Sequence, residues 1–223
     1  MKYVDEFKNG VFENKKEFVN YVVSSNDKSE IMAGLRTFAA VCTHEDFELL
    51  NDFLSSCDED CLYAFLAYVK ESLSLQAIPY LLALLEMWEE TDTGVRIHQI
   101  IMEMLGKYCD EEYSDVEECG NEFIEFSKTH DLKKYYFRGE VINYGGLTKE
   151  LLTIAMKCKS LNRPFNGGTI AGILSNSFGI SCPVSDREMV TDEKVAMLFE
   201  FVKKIAAINP EVGAKYYYGR KIG

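Results

Sequence analysis

Thirty-six Asp and Glu residues supply paired carboxylates in abundance. General acid and base chemistry needs two of them in a shaped, partly dry pocket, and no pair is singled out by its spacing. Asn166-Gly167-Gly168-Thr169-Ile170-Ala171-Gly172 is the one glycine-rich stretch. It lacks the Gly-Lys-Ser/Thr ending of a phosphate loop and the apolar strand that precedes a dinucleotide loop, so it reads as a tight turn into a closely packed helix. Seven cysteines, at 42, 57, 61, 109, 119, 158 and 182, are an odd count scattered through apolar segments. They read as reduced core thiols rather than a disulfide framework. Cys57 and Cys61 sit four apart, on one face of a helix, but no second Cys or His pair joins them at zinc spacing. His44, His98 and His130 show no ligand spacing either. His44 and His130 read as helix-end residues, His98 as lying in or beside a helix. No serine occupies a Gly-x-Ser-x-Gly elbow and no cysteine has a nucleophile's context. The expectation is a protein that is not an enzyme, with no catalytic residue, cofactor or metal.

The carboxylates are unevenly placed, and this points to binding. From Glu45 to Glu125 there are twenty-one acidic residues against Lys70, Arg96 and Lys107, a net of −18, whereas the whole chain carries −12. Residues 1 to 44 balance, and the stretch after Glu125 is positive by six. Like charge gathered in one segment disfavours the compact monomer and suits a basic surface on a partner. It also repels phosphate, which argues against direct nucleic-acid binding.

The elements that must position these charges are helices. With 47% hydrophobic residues and 223 positions the chain can fill a sizeable core. Apolar residues recur at three and four along most of the first 130 positions, the helical period. Ile31, Leu35, Phe38 and Ala39 mark one helix; Phe47, Leu50, Phe53 and Leu54 a second, with Thr43 placed to cap it. Leu62, Phe65, Leu66 and Val69 follow, then Ile78, Leu81, Leu82 and Leu85, then Val95, Ile100, Ile101 and Leu105. Short connections predict that each helix packs antiparallel on the one before. Two parts are expected: acidic helical hairpins over 1–130 and a less regular helical part over 131–223, packed as one unit, with the break at 129 to 147.

Ala77 to Leu85, the polar turn Thr91 to Arg96 and the helix Ile97 to Gly106 together resemble a HEAT-type repeat: an early proline, a polar turn, then a Val-Arg pair opening the second helix. The resemblance implies an all-α fold of stacked antiparallel hairpins. Stacking would place Asp58, Glu59 and Asp60 beside Glu89, Glu90 and Asp92, which lie about thirty-one residues further on, as one acidic ridge. Asp110, Glu111 and Glu112 would project from the opposite edge or lead the chain onward. These nine carboxylates are the expected partner-binding residues.

Beyond the break, Lys133 to Arg138 and Lys215 to Lys221 are basic and aromatic, more suited to covering a helical core than to stacking on single strands. Tyr144-Gly145-Gly146 reads as a turn, Thr148 as a cap for Leu151 to Met156, and Thr191 as the head of a helix ending before Pro210. No apolar run is long enough for a membrane span or a secretory signal, so a cytoplasmic protein is expected.

Acidic, helical and without catalytic motif, the chain resembles in type the all-helical immunity proteins of bacterial polymorphic-toxin and contact-dependent inhibition systems. The resemblance implies a cognate basic toxin as partner, a nuclease whose phosphate-binding face the acids would occupy, with neither nucleic acid nor membrane bound. The competing expectation is a helical-repeat adaptor that binds a host protein or peptide along its groove.

Overall fold

The structure, a computed structural model, describes residues 14–54, 59–110 and 112–222, apart from the side chains of Asp52, Phe53, Glu59, Asp60 and Cys61. It is mostly helical and falls into two compact units, Met1–Val141 and Ile142–Gly223. No helix among the described residues is long and apolar enough to cross a membrane.

The first unit opens with α1 (Lys15–Val23) and α2 (Lys28–Val41). Asp27 caps α2 by accepting from the Ser29 and Glu30 amides, and the Ile31, Leu35, Phe38 and Ala39 stripe is buried as its spacing predicts. The next segment departs from the expected capping. A 3-10 turn, Asp46–Leu50, runs into the short α3 (Asn51–Leu54). Thr43 does not cap it as an acceptor, because its amide and hydroxyl both donate to the Asp46 carboxylate, at 2.6 and 2.8 Å. Lys15 closes the same carboxylate at 2.5 Å, tying α1 to this turn. Burial pulls Asp46 upward, but Lys15 and Thr43 outweigh it and hold its acidity below the usual carboxylate range.

Helix α4 (Glu59–Val69) precedes α5 (Ile78–Trp88), where Pro79 sits in the first turn and needs no helical amide partner. A turn of three residues leads to α6 (Asp92–Met104), which packs back on α5 as the expected hairpin. Thr91 caps α6 by accepting from the Gly94 amide at 3.1 Å. Ile97, Ile100 and Ile101 are fully buried, each contributing about 1.5–3 kcal/mol by removal from water.

The expected packing of each helix on the one before is not kept throughout, since α4 packs on α2, and the α5–α6 hairpin is not continued. Gly106, at φ 77°, ends α6 in the left-handed conformation. The chain then runs back to the start of α6, where Glu90 donates its amide to Ser114 Oγ at 3.3 Å. Helix α7 (Val116–Thr129) therefore begins beside the N-terminus of α6. After it, strands β1 (Tyr136–Phe137) and β2 (Glu140–Val141) form a two-residue hairpin at the far end of α6, the Gly139 amide donating to Met104 O at 3.0 Å. So α6 and α7 run the same way, not antiparallel. No strand was expected in this basic, aromatic segment. The reason is local: Arg138 and Gly139 both have positive φ, the geometry of a type I′ hairpin turn.

The second unit holds α8 (Tyr144–Ser160), α9 (Gly168–Phe178), α10 (Asp192–Ile208) and the hairpin β3 (Tyr216–Tyr217) to β4 (Arg220–Lys221). Tyr144-Gly145-Gly146 is not a turn but the first turn of α8, capped by Asn143 accepting from the Gly146 amide at 3.1 Å. Thr148 is thus inside the helix and donates back to Gly145 O at 2.9 Å. The glycine-rich stretch opens α9, where a Cβ on Gly167 would lie 2.5 Å from the Phe165 ring. Thr191 caps α10 as expected, accepting from the Lys194 amide at 3.2 Å. Burial pushes the Tyr144 and Tyr217 phenols up to about 12.

Candidate partner-binding surface

Of the nine expected binding carboxylates, Asp58 and Glu111 lie outside the described residues, as do the side chains of Glu59 and Asp60. The backbone of Glu59 and Asp60 starts α4. On the next turn of that helix Tyr63 Oη accepts from the Thr93 hydroxyl at 3.4 Å, which sets the first turn of α6 against α4.

The other five, Glu89, Glu90, Asp92, Asp110 and Glu112, are all exposed, and none forms an ion pair with a described residue. Two of the three basic residues of this segment are spent on other carboxylates. Lys70 is committed to Glu103 at 2.6 Å, and Lys107 pairs with Glu122. Asp92 begins α6, where a carboxylate is also favoured by the helix dipole. Glu90 is held at φ 64°, a left-handed conformation that ordinary side chains adopt only when the surroundings impose it. Thr91 donates its hydroxyl to Trp88 O at 2.5 Å, and the backbone passes so close that a Cβ on Gly94 would sit 2.2 Å from that carbonyl. The turn that presents Glu89 and Glu90 is therefore rigidly built.

Asp110 and Glu112 do not leave by the opposite edge. Their loop returns to the Glu89 to Asp92 turn through the Glu90 amide and Ser114 Oγ. His98, fully buried in α6, supports the same corner by accepting from the Asp115 amide at Nδ1, 3.0 Å. That leaves the ring proton on Nε2, which faces Glu118 at 3.8 Å. Asp115 in turn caps α7 through the Glu118 amide at 2.8 Å.

Two residues of the surface have no counterpart in the sequence expectation. Tyr108 is 88% exposed and Tyr113 is 53% exposed, flanking Asp110 and Glu112 in the loop. Tyr113 also touches the His98 ring edge-on, with centroids 6.2 Å apart. The signal was available in the sequence: two aromatics bracketing carboxylates in a stretch with no helical period. Aromatics beside acids suit the anchoring of arginine or lysine side chains.

The other candidates resolve into structure. His44 joins Ser74 Oγ at 2.7 Å and Lys133 O at 2.9 Å and stacks on Tyr135. His130 stacks on Phe126 at a helix end. Tyr135, Tyr136, Phe137 and Tyr217 are buried, so the basic-aromatic motifs do cover the core. Cys57 lies outside the described residues, and among those described no group of three His, Cys, Asp or Glu residues is gathered as a metal site.

A family model described as Immunity protein 47 matches residues 1–222. No curated protein and no solved structure matches the chain.

Proposed function

The chain belongs to the Immunity protein 47 family and is an immunity protein against a toxin, and we propose that this toxin is a nuclease acting in the cytoplasm, bound by the acidic surface around the α5–α6 turn. The protein acts by binding, without catalysis. The observation that carries this reading is the joining of the Glu89 to Asp92 turn to the Asp110 to Asp115 loop, with five exposed carboxylates unpaired among the described residues and two exposed tyrosines beside them. A nuclease face built for phosphate is basic, so it is steered toward such an array, and burial of aromatic anchors then slows release.

The test is co-expression with the toxin domain encoded by the adjacent gene. Growth is restored and a complex survives purification; a toxin that kills regardless and co-purifies with nothing ends the proposal. Glu89→Lys, Glu90→Lys and Asp92→Lys together slow association and flatten its salt dependence. Association rates equal to wild type at low salt make that turn a bystander.

A further inference from the structure

The two units contain the same module twice. The matches begin at the end of a first helix, where Glu90 and Asn162 are both left-handed, at φ 64° and 50°. Gly94 and Gly167 follow, each with no room for a Cβ against the residues before the second helix, and they are 73 positions apart. At that same offset the buried residues of α6 and its C-cap, Ile97, His98, Ile100, Ile101, Met104 and Leu105, match the buried Ile170, Ala171, Ile173, Leu174, Ser177 and Phe178 of α9. Both helices end on a left-handed glycine, Gly106 or Gly179, with a cysteine three residues later. Both connections then run back to the start of their own helix. In the first, Ser114 reaches Gly94; in the second, Asp186 reaches Gly168 and Phe165 donates to Glu188 O. A third helix follows, capped by Asp115 or Thr191, and then a two-residue hairpin. In each hairpin the turn glycine donates its amide to the carbonyl two residues before the left-handed glycine, Gly139 to Met104 O at 3.0 Å and Gly219 to Ser177 O at 2.8 Å. Agreement in buried pattern, left-handed positions and hairpin docking is a duplication of one fold unit.

The copies agree where the fold needs a residue and differ in the loop from the second helix to the third. In the first copy that loop carries Tyr108, Asp110, Glu112 and Tyr113, the surface already assigned to the toxin. In the second, the equivalent loop and α10 enclose an open groove of about 410 Å³. Ile180, Pro183 and Met197 line it, and Lys194 holds its wall by donating to Pro183 O at 3.3 Å. Met197 is 49% exposed, although the fold gains nothing from leaving it in water. Glu193 stands two residues after the cap of α10, as Glu117 stands after the cap of α7. The remaining charges at the groove are Glu200, which pairs with Lys203 at 2.6 Å, and Lys204. Lys194 is spent on Glu188 at 2.5 Å, so two charges on this rim are left without an ion pair among the described residues, Glu193 at the start of α10 and Lys204 further along the same helix, and Glu193 is the carboxylate of the two.

We propose that this groove is a second docking surface for the toxin, taking an apolar side chain over Met197 and Pro183 with a neighbouring arginine or lysine on Glu193. The identity of the occupant rests on the immunity reading; the duplication does not.

The test compares wild-type chain, Met197→Ser and Glu193→Lys for binding to the toxin domain encoded by the adjacent gene, with thermal melts as a folding control. Each variant is expected to dissociate about tenfold faster or more; Met197→Ser keeps the wild-type melt, because that side chain is half exposed, whereas Glu193→Lys melts slightly lower, because it reverses a carboxylate in the first turn of α10. Hydrogen exchange on the wild-type complex is expected to protect residues 180 to 183 and 193 to 201. Wild-type dissociation rates in both variants, or no protection of these segments in a complex that forms, overturn the groove while leaving the immunity function intact. Failure of the wild-type chain itself to bind overturns the immunity reading and the occupant with it. Self-association of wild type that Met197→Ser abolishes also overturns the proposal, because the occupant is then a second copy.

Discussion

Gly106→Ala tests the frame that holds the acidic loop. Gly106 is left-handed at φ 77°, and a Cβ there would lie 2.6 Å from Arg138 O and 3.0 Å from the Gly139 Cα, both backbone atoms of the docked hairpin. Forcing a residue with a Cβ into the left-handed region costs about 1–2 kcal/mol. The hairpin must also retreat, which strains or breaks the Gly139 amide bond to Met104 O; a buried amide left unpaired costs about 1–3 kcal/mol. The two together predict a loss of about 2–5 kcal/mol in urea unfolding, seen as a lower midpoint with an unchanged slope. Gly120→Ala is the matched control. Gly120 lies inside α7 with nothing within 4 Å of its Cβ, so alanine is expected to stabilise by about 0.5–1 kcal/mol. A Gly106→Ala chain within 1 kcal/mol of wild type, or a Gly120→Ala chain that loses stability, refutes the argument from hairpin docking.

Two carboxylates should move stability with pH in opposite directions. Glu71 is held above the usual carboxylate range by burial, which the Arg36 and Lys70 charges offset only in part, and its buried Oε2 accepts from no described residue. The folded state binds its proton more tightly than the unfolded chain, so this group costs stability as pH rises from the ordinary carboxylate value through the raised one. Glu71→Gln should therefore gain on wild type across that window in melts from about pH 4 to pH 8, and a constant difference would contradict it. Asp46 is held low, so its contribution is present above the ordinary value and is lost as pH falls through the depressed one. Asp46→Asn is expected to cost about 1–3 kcal/mol at neutral pH, with the gap to wild type closing in acid; a gap independent of pH would refute it. Thr91→Ala removes the cap of α6 and should cost about 1 kcal/mol in urea unfolding, which full stability would disprove.

Much of the helical frame was legible because it rests on local rules. The Ile31 to Ala39 stripe, the Leu62 to Val69 stripe and the Thr191 cap each depend on residues within one or two turns, so spacing alone locates them. The turn holding Glu89 and Glu90 was legible for the same reason. Thr148 and Thr43 misled because several residues competed for each helix start: Asn143 captured α8, and Asp46 drew Thr43 in as a donor. The hairpins were hidden inside aromatic runs because Arg138-Gly139 and Tyr218-Gly219 do not carry the usual Asn or Asp of a type I′ turn.

The amino-acid order by itself determined an all-helical frame, an excess of carboxylates in one segment and the lack of any catalytic motif, since each is a property of composition or of neighbours within a few positions. Only the tertiary structure decided that the loop after α6 turns back to meet Glu90, and that one helix-and-hairpin module occurs twice. Those facts rest on contacts such as Gly139 with Met104 and Gly219 with Ser177, made by residues some thirty-five to forty-two positions apart. The two copies retain few of the same side chains. What they share is the pattern of burial and the few positions where backbone meets backbone and a Cβ does not fit, and such a pattern becomes visible only once the chain is folded.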